Sequence, residues 1–136
     1  MSVNRQIILA QRPQGMPDET HLQLQNAEIP RPGPGEVLVK TIYMSLDPYM
    51  RGRMSAAKSY AASVAEGAVM EGATVGEVVE SNDNGFAVGD YVLAHGGWQE
   101  YAVQPAKGIR RLDPAAAPIS TAVGVLGMPG FTAYVG

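Results

Sequence analysis

Apolar residues in this chain come in short runs broken by glycine, proline and amide side chains, a spacing that predicts strands rather than long helices. Two such runs open it, "NRQIILA" (4–10) and "HLQLQNAEI" (21–29), the second alternating Leu22 and Leu24 with polar neighbours. "IPRPGPGE" follows, with three prolines and two glycines in eight residues, and is expected to be a loop. "EVLVKTIYMSL" (36–46) puts Val37, Val39 and Tyr43 on one face and Leu38, Ile42 and Met44 on the other. That pattern suits a central strand covered on both sides. Pro48 cannot donate to a sheet ladder. The chain is therefore expected to leave regular structure there, with "DPYMRGRM" (47–54) on an exposed loop.

"SAAKSYAASVAEGAV" (55–69) has no clean period and reads as a flexible segment with room for one helical turn. A strand is predicted over "EGATVGEVVES" (71–81), where Gly72 and Gly76 suggest a bulge or a close backbone approach. "NDNG" (82–85) is a turn. "GDYVLAHGG" and "WQEYAVQ" read as two strands joined at Gly96-Gly97, and "IRRL" (109–112) as a short last one. Six or seven short strands between Gly/Pro turns imply a mostly β fold, a small barrel or sandwich. The tail, "PISTAVGVLGMPGFTAYVG", fits two short helices, with Ser120 or Thr121 as N-cap of the first and Pro129 near the start of the second. A helix that stops at Gly136 has an unpartnered apolar face, so the ending is expected to be a cut.

Composition narrows the function. The 136 residues, 46% hydrophobic, suit one domain with a proper core. Ten Lys and Arg against thirteen Asp and Glu give net charge −3, with no run of like charge, which argues against a nucleic-acid or anionic-membrane partner. There is no cysteine, hence no disulfide framework and no thiolate for zinc. The first apolar stretch, Ile7 to Ala10, is too short for a signal peptide or a spanning helix, and a cytoplasmic protein is the expectation. His21 and His95 have no ligand spacing, and a catalytic zinc usually needs three protein ligands, so no metal site is expected. His95 reads as a turn or strand-end residue. Trp98, the only tryptophan, reads as a barrel anchor, with ligand binding as the alternative.

"SLDPYMRGRM" (45–54), "GDYVLAHGGWQEY" (89–101) and "LGMPGFTAYVG" (126–136), in that order and at these distances, resemble the zinc-independent medium-chain dehydrogenase/reductases. The branch they resemble is that of the double-bond reductases, which includes leukotriene dehydrogenase/prostaglandin reductases, alkenal reductases and curcumin reductases. The resemblance covers nearly the whole chain. It implies a GroES-like, partly open β-barrel over residues 1–136, the substrate-side domain of a two-domain enzyme, with 119–136 beginning the connection to a nucleotide-binding domain. That second domain is expected to be missing here, because none of the sixteen glycines forms a G-x-G-x-x-G opening a βαβ unit. The isolated chain is then expected to be inactive.

The activity so implied is NADPH-dependent reduction of the C=C bond of an α,β-unsaturated ketone or aldehyde, by a protein that is a homodimer at full length. NADPH rather than NADH rests on the resemblance alone. In similar reductases the Pro-Tyr of the first motif lies against nicotinamide and substrate, which carries over to Pro48 and Tyr49. Without the resemblance, Tyr49 reads first as a tyrosine capping the barrel end, and Met50 as an adaptable apolar wall. The last motif matches the hinge between domains, which implies Met128 and Thr132 near the cofactor and Tyr134 near the seam. Thr132 bonding back to a carbonyl is the other reading. Arg51 and Arg53 are read as pairing with carboxylates such as Asp47 rather than binding an anion. The catalytic acid is not assigned. Two other functions remain open: a quinone reductase of the same superfamily, and a stand-alone GroES-like module without catalysis.

Overall fold

The computed structural model describes residues 3–47, 49–55 and 63–124, and of Tyr49 the backbone alone. Among the described residues there are seven strands: β1 (Asn4–Leu9), β2 (Leu22–Ala27), β3 (Glu36–Met44), β4 (Thr74–Ser81), β5 (Tyr91–Ala94), β6 (Tyr101–Pro105) and β7 (Arg110–Leu112). Each lies within or close to a predicted run; β1, β2, β3, β4 and β7 are shorter than predicted by one to three residues, β5 by five, and β6 starts three residues late and runs on through Pro105. β6, β3, β4, β5 and β7 form one antiparallel sheet in that order, while β1 and β2 form a separate pair. Single bridges, Gln6 to Gln99 and Ile8 to Val69, tie the pair to the rest. The barrel is therefore open along part of its wall.

β5 and β6 are joined through Gly96-Gly97 as the sequence suggests, yet they do not pair with each other. β5 sits between β4 and β7, and β6 crosses to β3. β3 is covered on both faces only in its first half, where Val37, Leu38 and Val39 are buried; Ile42, Tyr43 and Met44 are exposed. Its ladder with β4 is irregular after Leu38 and after Thr41. Gly76, opposite Thr41, is the close approach expected of it: a Cβ there would run into the Lys40 carbonyl and the Val39 side chain.

Two apolar clusters fill the interior. Val37, Val39, Val78 and Val92, with Phe86 and Ile109 against them, hold the five-stranded sheet. Leu9, Met50, Met54, Val64 and Met70, with Leu22 and Trp98, close the end toward β1. The "NDNG" turn is tied by its own side chains, since Gly85 N–H donates to Asp83 Oδ2 at 2.8 Å and Ser81 Oγ donates to the Phe86 carbonyl at 2.7 Å.

"DPYMRGRM" is not an exposed loop throughout. Tyr49–Arg53 form a single helical turn, α1, and Met50 and Met54 are 3% and 4% exposed. Four residues apart, they fall on one face of that turn and drop into the second cluster. Near the other end, Ile119–Val123 are a 3₁₀ helix, not an α-helix, entered from Pro118 with no side-chain cap. Thr121 Oγ1 instead donates to the Pro118 carbonyl at 2.6 Å from inside it. The second predicted helix lies outside the described residues, as do residues 56–62 of the segment 55–69 read as flexible.

Candidate functional site

Three segments meet at the end of β3. The first is Ser45–Met54; the second is 70–74, which leads into β4; the third is Gly96–Trp98. Backbone bonds lace them together: Ser45 N–H donates to the Ala73 carbonyl at 2.9 Å, Gly97 N–H to Gly72 at 3.2 Å and Trp98 N–H to Met70 at 2.8 Å. Inside this junction Thr74, fully buried, accepts the Gly96 N–H on its Oγ1 at 3.1 Å. Buried donors left unpaired cost more than a bond contributes, so this one hydroxyl fixes the Gly96-Gly97 turn against the start of β4.

The first segment is held from several sides. Met50 N–H donates to the Asp47 carbonyl at 3.1 Å, and Asp47 N–H points at Met50 Sδ at 3.4 Å. The Asp47 carboxylate accepts from Ser45 Oγ at 2.8 Å. Arg51, expected to pair with a carboxylate, donates instead to the carbonyls of Pro13 and Gly15 at 3.0–3.2 Å. Arg53 does pair with a carboxylate, that of Glu71 and not Asp47. Arg12 reaches in to the Met54 carbonyl at 3.1 Å. Both arginines of the motif are thus engaged in holding the turn.

Tyr49 opens α1, so the structure places its backbone at this junction. Pro48, Met128, Thr132 and Tyr134 lie outside the described residues. Trp98 is half-buried against the methionine cluster, as an anchor would be, and its Nε1 is buried without a hydrogen-bond partner among the described residues. On its outer side an open cleft of about 290 Å³ is lined by Ile7, Leu24, Ile42 and Met44, with the Arg5–Glu100 pair at the rim.

The histidines stay apart from the junction's chemistry. His95 is exposed just past β5, its N–H directed to Gln104 Oε1 at 3.4 Å. His21 Nδ1 accepts the Asp18 N–H at 3.0 Å, and Asp18 is drawn below the usual carboxylate range chiefly by the Thr20 hydroxyl. Among the described residues no three His, Asp or Glu side chains cluster as metal ligands would. No helix there is long and apolar enough to cross a membrane.

Sequence reasoning missed Thr74, and it marked Gly72 only as a bulge or close approach and Ser45 only as part of its motif. A short polar residue at a strand end and a glycine within a run are too common to signal a site. The Met50/Met54 spacing was the usable sign that part of the motif turns inward.

The fold is an open, mostly β barrel with a short helical turn just after its central strand, and residues 5–112 match the family described as N-terminal domain of oxidoreductase, to which this chain belongs. Its architecture is GroES-like. Among particular relatives, the chain is 47% identical over 133 residues to the NADPH-dependent curcumin reductase of Escherichia coli (strain K12). It is 39% identical over 139 residues to the NADP(+)-dependent 2-alkenal reductase of Nicotiana tabacum. The crystal structure of CurA in complex with NADPH from Vibrio vulnificus superposes with a TM-score of 0.89 at 50% identity, over 96% of this chain. These alignments take in 98% of the chain for both reductases but only 39–40% of either relative, and 39% of CurA. The chain spans about two fifths of the length of the proteins it matches.

Proposed function

We propose that this chain is the substrate-side domain of an NADPH-dependent reductase that saturates the C=C bond of α,β-unsaturated ketones and aldehydes. The observation that carries this reading is the near-complete alignment with a curcumin reductase, at 47% identity over 98% of the chain. The alkenal reductase, similar over the same span, supports the substrate class. The NADPH complex of CurA supports the cofactor.

The junction fits one end of that cofactor and not the other. Arg51 and Arg53 are committed to carbonyls and to Glu71, so the described part of the motif offers no free cationic cradle for phosphates. A neutral, tightly held turn suits the uncharged nicotinamide end, with the phosphates held by the domain that residues 119–136 lead into. Pro48 and Tyr49 would then lie against the ring and the substrate, and Met128 and Thr132 close to the cofactor.

When bound, NADPH supplies a hydride to the β-carbon of the enone. Tyr49, whose phenol donates a hydrogen bond without carrying charge, positions the carbonyl compound face to face with the ring. A donor at the carbonyl oxygen stabilises the negative charge that gathers there. The α-carbon takes its proton from solvent or from a tyrosine.

The test is to sequence the coding region past Gly136 and assay the protein it encodes. The expected result is a frame that continues into a strand, a glycine-rich turn and a helix, and a protein that oxidises NADPH in step with loss of the enone double bond. A protein that consumes no NADPH with enones, or prefers quinones, overturns the reading. The resemblance also carries a cytoplasmic homodimer, and light scattering on the whole protein tests the dimer.

A further inference from the structure

We propose that Gly72 is a positioning residue: by carrying no side chain it lets Met50 and Trp98 meet beneath α1, and so sets the backbone path that carries Tyr49. This inference rests on the reading of Tyr49 given above. A Cβ at Gly72 would stand 2.8 Å from Met50 Cε, 3.2 Å from Trp98 Nε1 and 3.5 Å from the Ser45 carbonyl. All three belong to segments of the junction, so the missing methyl group is the space into which they close.

The nearest atom is the tip of a flexible side chain, but Met50 has little free space to swing into. It is 3% exposed and packed among Leu9, Met54, Val64 and Met70, where interiors leave few voids and added atoms force neighbours to move. Its sulfur faces the Asp47 N–H and its own N–H holds the Asp47 carbonyl. A shift of the Met50 thioether therefore acts on the Asp47 N–H, at one end of the span that contains Tyr49. Gly72 is itself fixed, since its carbonyl accepts the Gly97 N–H and its neighbour Ala73 accepts from Ser45. The push from an added methyl falls on α1. Displacements of about 1 Å remote from the reacting atoms are enough to cost roughly a hundredfold in rate.

The experiment is a double-mutant cycle in the whole enzyme, Gly72→Ala with Tyr49→Phe, reading kcat and KM for an enone. Expected is a fall in kcat of about tenfold or more for Gly72→Ala in the parent, with folding retained by circular dichroism, and under about twofold in the Tyr49→Phe background. Equal fold-losses in both backgrounds, or no loss in the parent, overturn the proposal. Should Gly72→Ala fail to fold, Met50→Leu, which keeps bulk but removes the sulfur and its methyl, must lower kcat in the same background-dependent way; normal turnover overturns the proposal. In the whole enzyme, nuclear magnetic resonance gives a readout free of turnover: Gly72→Ala is expected to shift the Tyr49 amide and the Met50 methyl signals. A parent enzyme that ignores enones defeats the functional reading alone. Unshifted Tyr49 and Met50 signals defeat this inference alone.

Discussion

Replacing Thr74 by valine removes one oxygen from the junction and little else. The side chain is fully buried and its Oγ1 is the acceptor for the Gly96 N–H at 3.1 Å, with Gly96 also buried. Valine keeps the shape, so the Gly96 donor stays desolvated with nothing to bond. The expected loss is about 1–3 kcal/mol, the penalty of an orphaned buried donor. Thr74→Ser is the control, because it keeps the oxygen and deletes a methyl group, a loss of about 1 kcal/mol. Urea unfolding followed by Trp98 fluorescence measures both, and hydrogen exchange at Gly96 shows whether the turn opens locally. Valine should be the less stable variant, with an unchanged urea dependence and faster Gly96 exchange. A valine variant as stable as the parent, with Gly96 equally protected, refutes the claim that this hydroxyl fixes the turn.

Asn4 is buried at the seam between β1 and β6, where its amide donates to Gln99 Oε1 and the Tyr101 carbonyl at 3.0 Å and accepts the Tyr101 N–H at 2.9 Å. Asn4→Ala should cost roughly 2–4 kcal/mol in urea titration, and a loss of a few tenths would show the clamp to be dispensable. At the same seam Arg5 holds Glu100 below the usual carboxylate range, mainly through its side-chain hydrogen bonds. A depressed folded value means the contribution is present above the ordinary glutamate range and is lost as pH falls through the folded value. Arg5→Gln should therefore raise Glu100 toward the ordinary range in an NMR titration, with the residue 5 N–H and Lys40 still lowering it, and an unmoved Glu100 would assign its depression elsewhere. In the whole enzyme, Tyr49→Ala should damage enone reduction far more than thermal stability. Equal activity in mutant and parent would remove Tyr49 from the site.

The strands were legible because each apolar run is short and ends in residues that cannot extend it, as Pro105 ends β6 and Gly96 follows β5. Their partners were less so. Nothing local distinguishes a β5–β6 hairpin from the arrangement found, since the choice is made by β3 offering its free edge to β6 through five paired residues. The turn at 49–53 was missed for a related reason: a five-residue helix has too few positions to show a period, and Pro48 pointed to a loop. Tertiary burial of Met50 and Met54 decides it. Asn4 carried no signal either, because a polar residue at a strand start looks like a surface residue until its partners, nearly a hundred residues away, are known.

That distance has a consequence for how the chain is made. Asn4 is synthesised 95 residues before Gln99 and 97 before Tyr101, a wait of ~5–20 s at ~5–20 residues per second. During it β1 has β2 and, once they are made, residues 67–70 to bond with, and a two-stranded hairpin with so little support is marginal in water. β1 is thus fully fastened only once the start of β6 has been made. A chain stalled before Gln99 carries an amino-terminal ribbon whose asparagine still lacks both its partners.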